Sequence, residues 1–182
     1  MNQRRLDAES MRDAMLAVSG RLILSPAKGS PVQKMDGNIG RNPKQLEELR
    51  KAKLDNRSLY LPVARQAIPE VLKTFDFAEP SILVGRRDVT TVPTQALFMM
   101  NNDFVLKEAT VAADKILEIK GLEDEQRLDL AYLICLGREP SEAEKTLALA
   151  YLKGNSKGTG TKEAWSGIIH GLFGCIDFRY LN

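Results

Sequence analysis

The sequence has few of the residues that build metal, haem and disulfide sites. Its 182 residues include two cysteines, Cys135 and Cys175, and one histidine, His170. Each cysteine lies in an apolar helical pattern, which favours a small buried hydrophobe over a bridge or a reactive thiol. There is no Cys-x-x-Cys-His motif for c-type haem, and one histidine without a ligand cluster does not make a usual transition-metal site. We therefore expect no cofactor and no metal in this chain.

The chain also lacks a strong charge imbalance and long apolar runs. A net charge of +2 is too small to indicate binding to nucleic acid or to an acidic membrane surface. No apolar run approaches the length of a membrane span, and residues 1–5 lack the apolar core of a signal peptide. Apolar content of 43% and charged content of 27% are in the globular range. Together with the length, they predict one domain over residues 1–182.

Helical periodicity dominates the pattern of apolar residues. It predicts a mainly α fold: an irregular multi-helix bundle with a long N-terminal loop excursion and at most one or two short strands. The excursion covers residues 21–58 and includes a short exposed helix from Pro43, whereas the helical body covers residues 86–182. Residues 57–63 are the best strand candidate. Helices are predicted at 5–18, at 69–75, from 93, at 104–120, at 124–136, from 141 to 154, and through 165–176.

The stretch from residue 85 to residue 105 is the centre of this organisation. Pro93 suits a first helical turn, and Thr91 is placed to cap that turn from outside. Residues 101–103 are Asn-Asn-Asp, one of which should end this helix and cap the next. Farther along, Ser141 and Glu144 form a capping box.

The best candidate site is the polar cluster of Arg86, Arg87 and Asp88 beside Thr90, Thr91 and Gln95. It fits a binding site for an anionic or sugar ligand, because guanidinium groups bind carboxylate or sulfate in pairs of hydrogen bonds and a helix N-terminus adds N–H donors. It also fits a structural network, in which Asp88 pairs with an arginine of the cluster and one arginine ties the loop to an acid of the first helix. The structural interpretation is favoured. No residue is assigned a catalytic role.

Five blocks of the chain together resemble a known family. They are residues 4–9 with 12–20, 57–62 with 75–77, 85–87 with 91–98, 136–140, and 177–180. In order and spacing they are similar to the planctomycete-specific C-terminal domain of unknown function (PSD-type) of large exported, often cytochrome c-linked bacterial proteins. Where that family usually has Asn-Ser before the terminal acidic-aromatic segment, this chain has Gly174-Cys175.

The resemblance implies a fragment of a larger, extracytoplasmic polypeptide whose other domains are the partners. Three functions are compatible with it. The first, which we favour, is a structural or docking module for the neighbouring domains. The second is part of an enzyme or binding protein for sulfated or acidic polysaccharide, because genes of the family often lie near sulfatase and polysaccharide-degradation genes. The third is an electron-transfer partner of a cytochrome c-like domain.

Overall fold

The computed structural model describes residues 4–26, 29–34, 42–51, 54–64, 67–155 and 160–181. Its α-helices are α1 Ala8–Val18, α2 Pro43–Lys51, α3 Glu70–Thr74, α4 Pro93–Asn101, α5 Asp103–Glu118, α6 Asp124–Leu136, α7 Glu142–Asn155, α8 Gly160–Gly174 and α9 Ile176–Arg179. Strands β1 Arg4–Arg5 and β2 Tyr180–Leu181 pair antiparallel, with Arg5 opposite Tyr180. The predicted mainly helical bundle with little strand is confirmed.

Helices α5 and α8 form the most extensive helix–helix contact of the described bundle. Ala109, Ala112 and Ala113 are buried on α5, and their small side chains let α8 approach closely. Trp165 and Phe173 of α8 are fully buried and fill the space beside them. The main core also takes in buried residues of α1 and α3, so the helical body reaches beyond residues 86–182.

Several predicted helix ends have the expected cause. Asn102 ends α4 and caps α5, since its side chain accepts a hydrogen bond from the backbone N–H of Phe104 at 3.0 Å. Pro93 occupies the first turn of α4. Ser141 and Glu144 hydrogen-bond reciprocally at the start of α7, which confirms the capping box.

Two local predictions are wrong. The first helix begins at Ala8, with Asp7 as its cap, because residues 4–5 are drawn into β1. The predicted strand at 57–63 is instead a 3-10 turn at Ser58–Tyr60. The carboxylate of Asp13 accepts hydrogen bonds from the backbone N–H and hydroxyl of Ser58, so helix α1, rather than a sheet, satisfies this segment.

The predicted excursion at residues 21–58 closes on itself where its two ends meet. Ile23 hydrogen-bonds through its backbone to Asp55 and Arg57, and it forms an isolated bridge with Asn56. Helix α2 lies between these ends and buries Leu46 and Leu49 in a small cluster apart from the main core. Parts of the excursion, including residues 35–41, lie outside the described residues. None of the helices in the described ranges has both the length and the apolar character of a membrane span.

Candidate functional site

A buried arginine from the opening strand lies at the centre of the candidate site. The side chain of Arg5 is only 4% exposed, and its Nη2 lies 2.7 Å from Oδ2 of Asp76. Its Nη1 donates to the carbonyl of Thr90 and, at 3.2 Å, to Oε1 of Gln95. A buried guanidinium needs partners on several sides, and here they come from the end of α3 and from the start of α4. We call these four residues the clasp.

Asp76 occupies an unusual backbone position in the turn after α3. Its φ of 63° is in the left-handed region, which aspartate tolerates better than most residues. This conformation is accompanied by two hydrogen bonds of 2.8 Å from Thr90, one from its backbone N–H and one from its hydroxyl. Burial alone would raise the pKa of Asp76, but the hydrogen bonds from Thr90 and Arg5 outweigh it and hold the pKa below its usual value.

Gln95 closes the clasp from the first turn of α4. Its side chain is buried, and its Nε2 donates to the carbonyl of Thr74 at 3.1 Å. The adjoining aromatic rings of Phe75 and Phe98 pack edge to face at 5.9 Å, so the polar clasp lies directly on the apolar core. The clasp therefore joins β1, the end of α3 and the start of α4.

The other residues of the predicted site lie around the clasp without forming one network. Arg87 pairs with Glu9 of α1 at 2.7 Å, as the structural interpretation expected for one arginine. Arg86 and Asp88 are exposed and form no ion pair with any described residue. The expectation that Asp88 pairs with a neighbouring arginine is therefore wrong. Arg87 does not pair with Asp88 because its side chain turns toward α1. There it also lies over the ring of Phe77, with 5.0 Å between the guanidinium carbon and the ring centroid.

Thr91 has a different role from the predicted helix cap. Val92 is the cap residue of α4, and no side chain accepts a hydrogen bond there. The Thr91 hydroxyl lies 3.2 Å from the hydroxyl of Tyr180 in β2. Thr91 therefore links the approach to α4 with the C-terminal strand.

A cleft of about 530 Å³ opens beside the clasp. Its charged lining consists of three guanidinium and three carboxylate groups, from Arg4, Arg5, Arg87, Asp7, Asp76 and Asp88. The cations and anions are equal in number, and two of the arginines already have carboxylate partners. The charges of the cleft are thus balanced, so it is not a strongly positive anion site.

Sequence reasoning missed Arg5 and Asp76 as members of the site, although it included Thr90 and Gln95. Two local signals point to them. Arg5 is one of two consecutive arginines just ahead of a helix cap, and Asp76 is an acidic residue between two phenylalanines. A charge flanked by core-forming aromatics is placed to be buried, and a buried charge needs a partner.

A second buried network ties the excursion to the bundle. Glu108 of α5 is fully buried and accepts hydrogen bonds from the Ser19 hydroxyl at 2.6 Å and from Arg21 at 2.5 Å. Arg21 also contacts both carboxylate oxygens of Asp55 at 2.8 Å. Next to this network lies a cavity of about 690 Å³, whose walls include core residues of α3, α4 and α5.

The surroundings of the histidine and of the two cysteines indicate structural roles for these residues. Nε2 of His170 lies 2.8 Å from the carbonyl of Met99, so the ring joins α8 to α4. Both cysteines are free and half-buried. Burial raises the pKa of Cys135 to about 12, and it also raises the pKa of Cys175, which keeps both thiols protonated at neutral pH. No group of three or more metal-ligating side chains occurs among the residues that the structure describes.

Comparison with known families gives a match over most of the chain. The profile of a family described as "Protein of unknown function (DUF1553)" matches residues 1–152. The chain belongs to the DUF1553 family. The matched range contains the whole clasp, whereas α8, α9 and β2 lie beyond it. Neither the curated proteins nor the solved structures include a significant match.

Proposed function

We propose that this DUF1553 chain is a docking module that binds neighbouring domains of a larger exported polypeptide. The observation that supports this proposal is an exposed loop at residues 79–89, between α3 and α4. Every residue of the loop is exposed, although it contains the apolar sequence Ile82-Leu83-Val84. Ile82 is 66% exposed and Leu83 is fully exposed.

Such a segment has a thermodynamic reason to bind another surface. Burying one large aliphatic side chain contributes roughly 1.5–3 kcal/mol, so three consecutive ones supply a substantial part of a binding energy. Exposed apolar side chains are common singly, but a consecutive group on a loop is typical of an interaction site.

The clasp gives this loop a defined base. Asp76 lies just before the loop and Thr90 just after it, and the two residues are joined by hydrogen bonds of 2.8 Å. Arg5 binds both of them from the opening strand. Fixing the two ends lowers the conformational entropy that is lost when the loop binds, which favours tighter docking.

Binding to the neighbouring domains tests this proposal directly. The separately purified chain is titrated against those domains, a cytochrome c-like domain among them, with Leu83→Asp as the test variant. Leu147→Asp is the matched control, because Leu147 is 74% exposed but belongs to helix α7 and not to the loop. We expect Leu83→Asp to weaken binding at least about tenfold and Leu147→Asp to leave it unchanged. Equal binding by the two variants would contradict the proposal.

A second candidate function is binding of a sulfated or acidic polysaccharide at the cleft. It is favoured by Arg86, an exposed guanidinium that forms no ion pair with a described residue and lies one residue from the cleft-lining Arg87. The equal numbers of cations and anions in the cleft weigh against it. An Arg86→Ala/Arg87→Ala double variant that binds sulfated oligosaccharides as well as the unaltered protein does would exclude this candidate.

A further inference from the structure

We infer that the peptide bond between Arg86 and Arg87 is a preformed site for an endoprotease that cuts between paired basic residues. The sequence has three such pairs, at residues 4–5, 50–51 and 86–87. Their structural settings differ sharply, and only the last one presents a backbone that an enzyme cleft can take up without unfolding the protein. The inference concerns cleavage alone and does not depend on the docking role of the loop.

Accessibility of the backbone decides between the three pairs. Arg4 and Arg5 form β1, which is hydrogen-bonded to β2, and Arg5 is buried in the clasp. Residues 50–51 are the last two of helix α2. In contrast, residues 83–89 are all exposed, and their backbone groups form no hydrogen bond within the described part of the chain.

Proteases cut preferentially at exposed loops, and an extended peptide can bind through backbone hydrogen bonds in the manner of an added strand. A helix or a paired strand must first open locally before it can bind in this way. The segment from Leu83 to Val89 already has free backbone groups on both sides of the Arg86–Arg87 bond. Its side chains are exposed as well, so the described part of the fold leaves the bond open to solvent.

The contacts of the two arginines fix which bond is cut. Arg86 forms no ion pair with any residue that the structure describes, and its exposed side chain can enter an acidic specificity pocket. Arg87 is held by Glu9 and by the ring of Phe77, although this surface ion pair is half-exposed and weak. Arg86 therefore supplies the carbonyl of the scissile bond. Water adds to that carbonyl carbon, the C–N bond breaks, and the products are a carboxylate at Arg86 and an ammonium at Arg87.

The cut chain should stay assembled, because the clasp spans the cleavage point. Arg5 and Asp76 lie on the N-terminal fragment, whereas Thr90 and Gln95 lie on the C-terminal fragment. Helices α1 and α3 also pack into the same core as α4 and α5. Cleavage would release one end of the apolar sequence at residues 82–84 without dissociating the domain.

The test uses an omptin-type protease, which cuts between consecutive basic residues, on the folded 182-residue chain. Mass spectrometry and N-terminal sequencing should find a new fragment beginning Arg87-Asp88-Val89. Arg86→Gln should slow formation of that fragment at least about tenfold, and the matched control Arg4→Gln should leave the rate unchanged. A synthetic peptide spanning residues 80–92 confirms that the enzyme accepts this sequence.

Two outcomes would overturn the inference. One is that the peptide is cut while the folded chain stays intact at residues 86–87. The other is that residues 4–5 or 50–51 are cut faster than residues 86–87. Gel filtration of the cut protein should give one peak containing both fragments. Separate elution of the fragments under native conditions would contradict the role assigned to the clasp.

Discussion

Replacing Arg5 with alanine should destabilise the whole bundle, although Arg5 lies in a two-residue strand near the start of the described chain. The substitution leaves Asp76 without its guanidinium partner and leaves Gln95 and the carbonyl of Thr90 without a donor. Removing one member of a buried ion pair costs about 3–5 kcal/mol, because the remaining charge stays buried. The Asp76 side chain is 17% exposed and keeps its hydrogen bonds to Thr90, so we expect the lower end, about 3 kcal/mol.

The assay is reversible unfolding by urea and by heat, followed by circular dichroism of the helices. For a chain of this length a loss of about 3 kcal/mol should lower the Tm by about 6–12 °C. Arg4→Ala is the matched control, since Arg4 is the exposed neighbour in the same strand and should change stability by less than about 0.5 kcal/mol. The loss of stability caused by Arg5→Lys should lie between those caused by Arg5→Ala and Arg4→Ala, because lysine keeps the charge but lacks the planar guanidinium group.

A double-mutant cycle separates the ion pair from general packing. Asp76→Asn is the suitable second variant, since asparagine also tolerates the positive φ at this position. We expect the combined Arg5→Ala/Asp76→Asn variant to be less destabilised than the sum of the single variants by about 1–3 kcal/mol. If Arg5→Ala costs no more than Arg4→Ala, the clasp does not hold the fold together, and the reasoning about it is refuted.

Three further predictions follow from other contacts. Hydrogen bonds from Arg138 and Ser141 lower the pKa of Glu144 from 4.5 to about 2. Its contribution to stability is therefore present above pH 4.5 and lost as the pH falls toward 2, and Arg138→Ala should flatten the pH dependence of unfolding in that window. Cys135, with its pKa raised to about 12, should react with iodoacetamide at pH 8 far more slowly in the folded than in the unfolded chain, and equal rates would contradict its burial. Asn102→Ala should cost about 1 kcal/mol in urea unfolding through loss of the α5 cap, and the neighbouring Asn101→Ala should cost clearly less.

The sequence predicted best those features whose cause is local. The helix boundaries at Asn102 and at residues 141–144 depend on side chains within a few positions of the helix end. The mainly helical class follows from apolar periodicity, which is also a short-range signal.

Features that depend on long-range pairing were harder to predict. Arg5 meets its partners 71 to 90 positions along the chain, and no spacing rule connects them. The sequence indicated that one arginine ties the loop to an acid of α1. The ion pair between Arg87 and Glu9 makes that connection. It also indicated a buried polar network, but which arginine is buried depends on the pairing of β1 with β2 at opposite ends of the described chain. The prediction of a strand at 57–63 was wrong for the same reason, since hydrogen bonds to α1 take the place of hydrogen bonds to a neighbouring strand.

The docking role of the loop is tested most directly by hydrogen exchange of the peptide that covers residues 82–89. The measurement compares the separate 182-residue chain with a longer polypeptide in which the neighbouring domains are present, and the amides of α5 serve as the internal reference. We predict that exchange in the loop slows at least about tenfold in the longer polypeptide while α5 is little changed. Equal loop exchange in the two samples would mean that the apolar sequence at residues 82–84 remains uncovered, and it would contradict the proposed function.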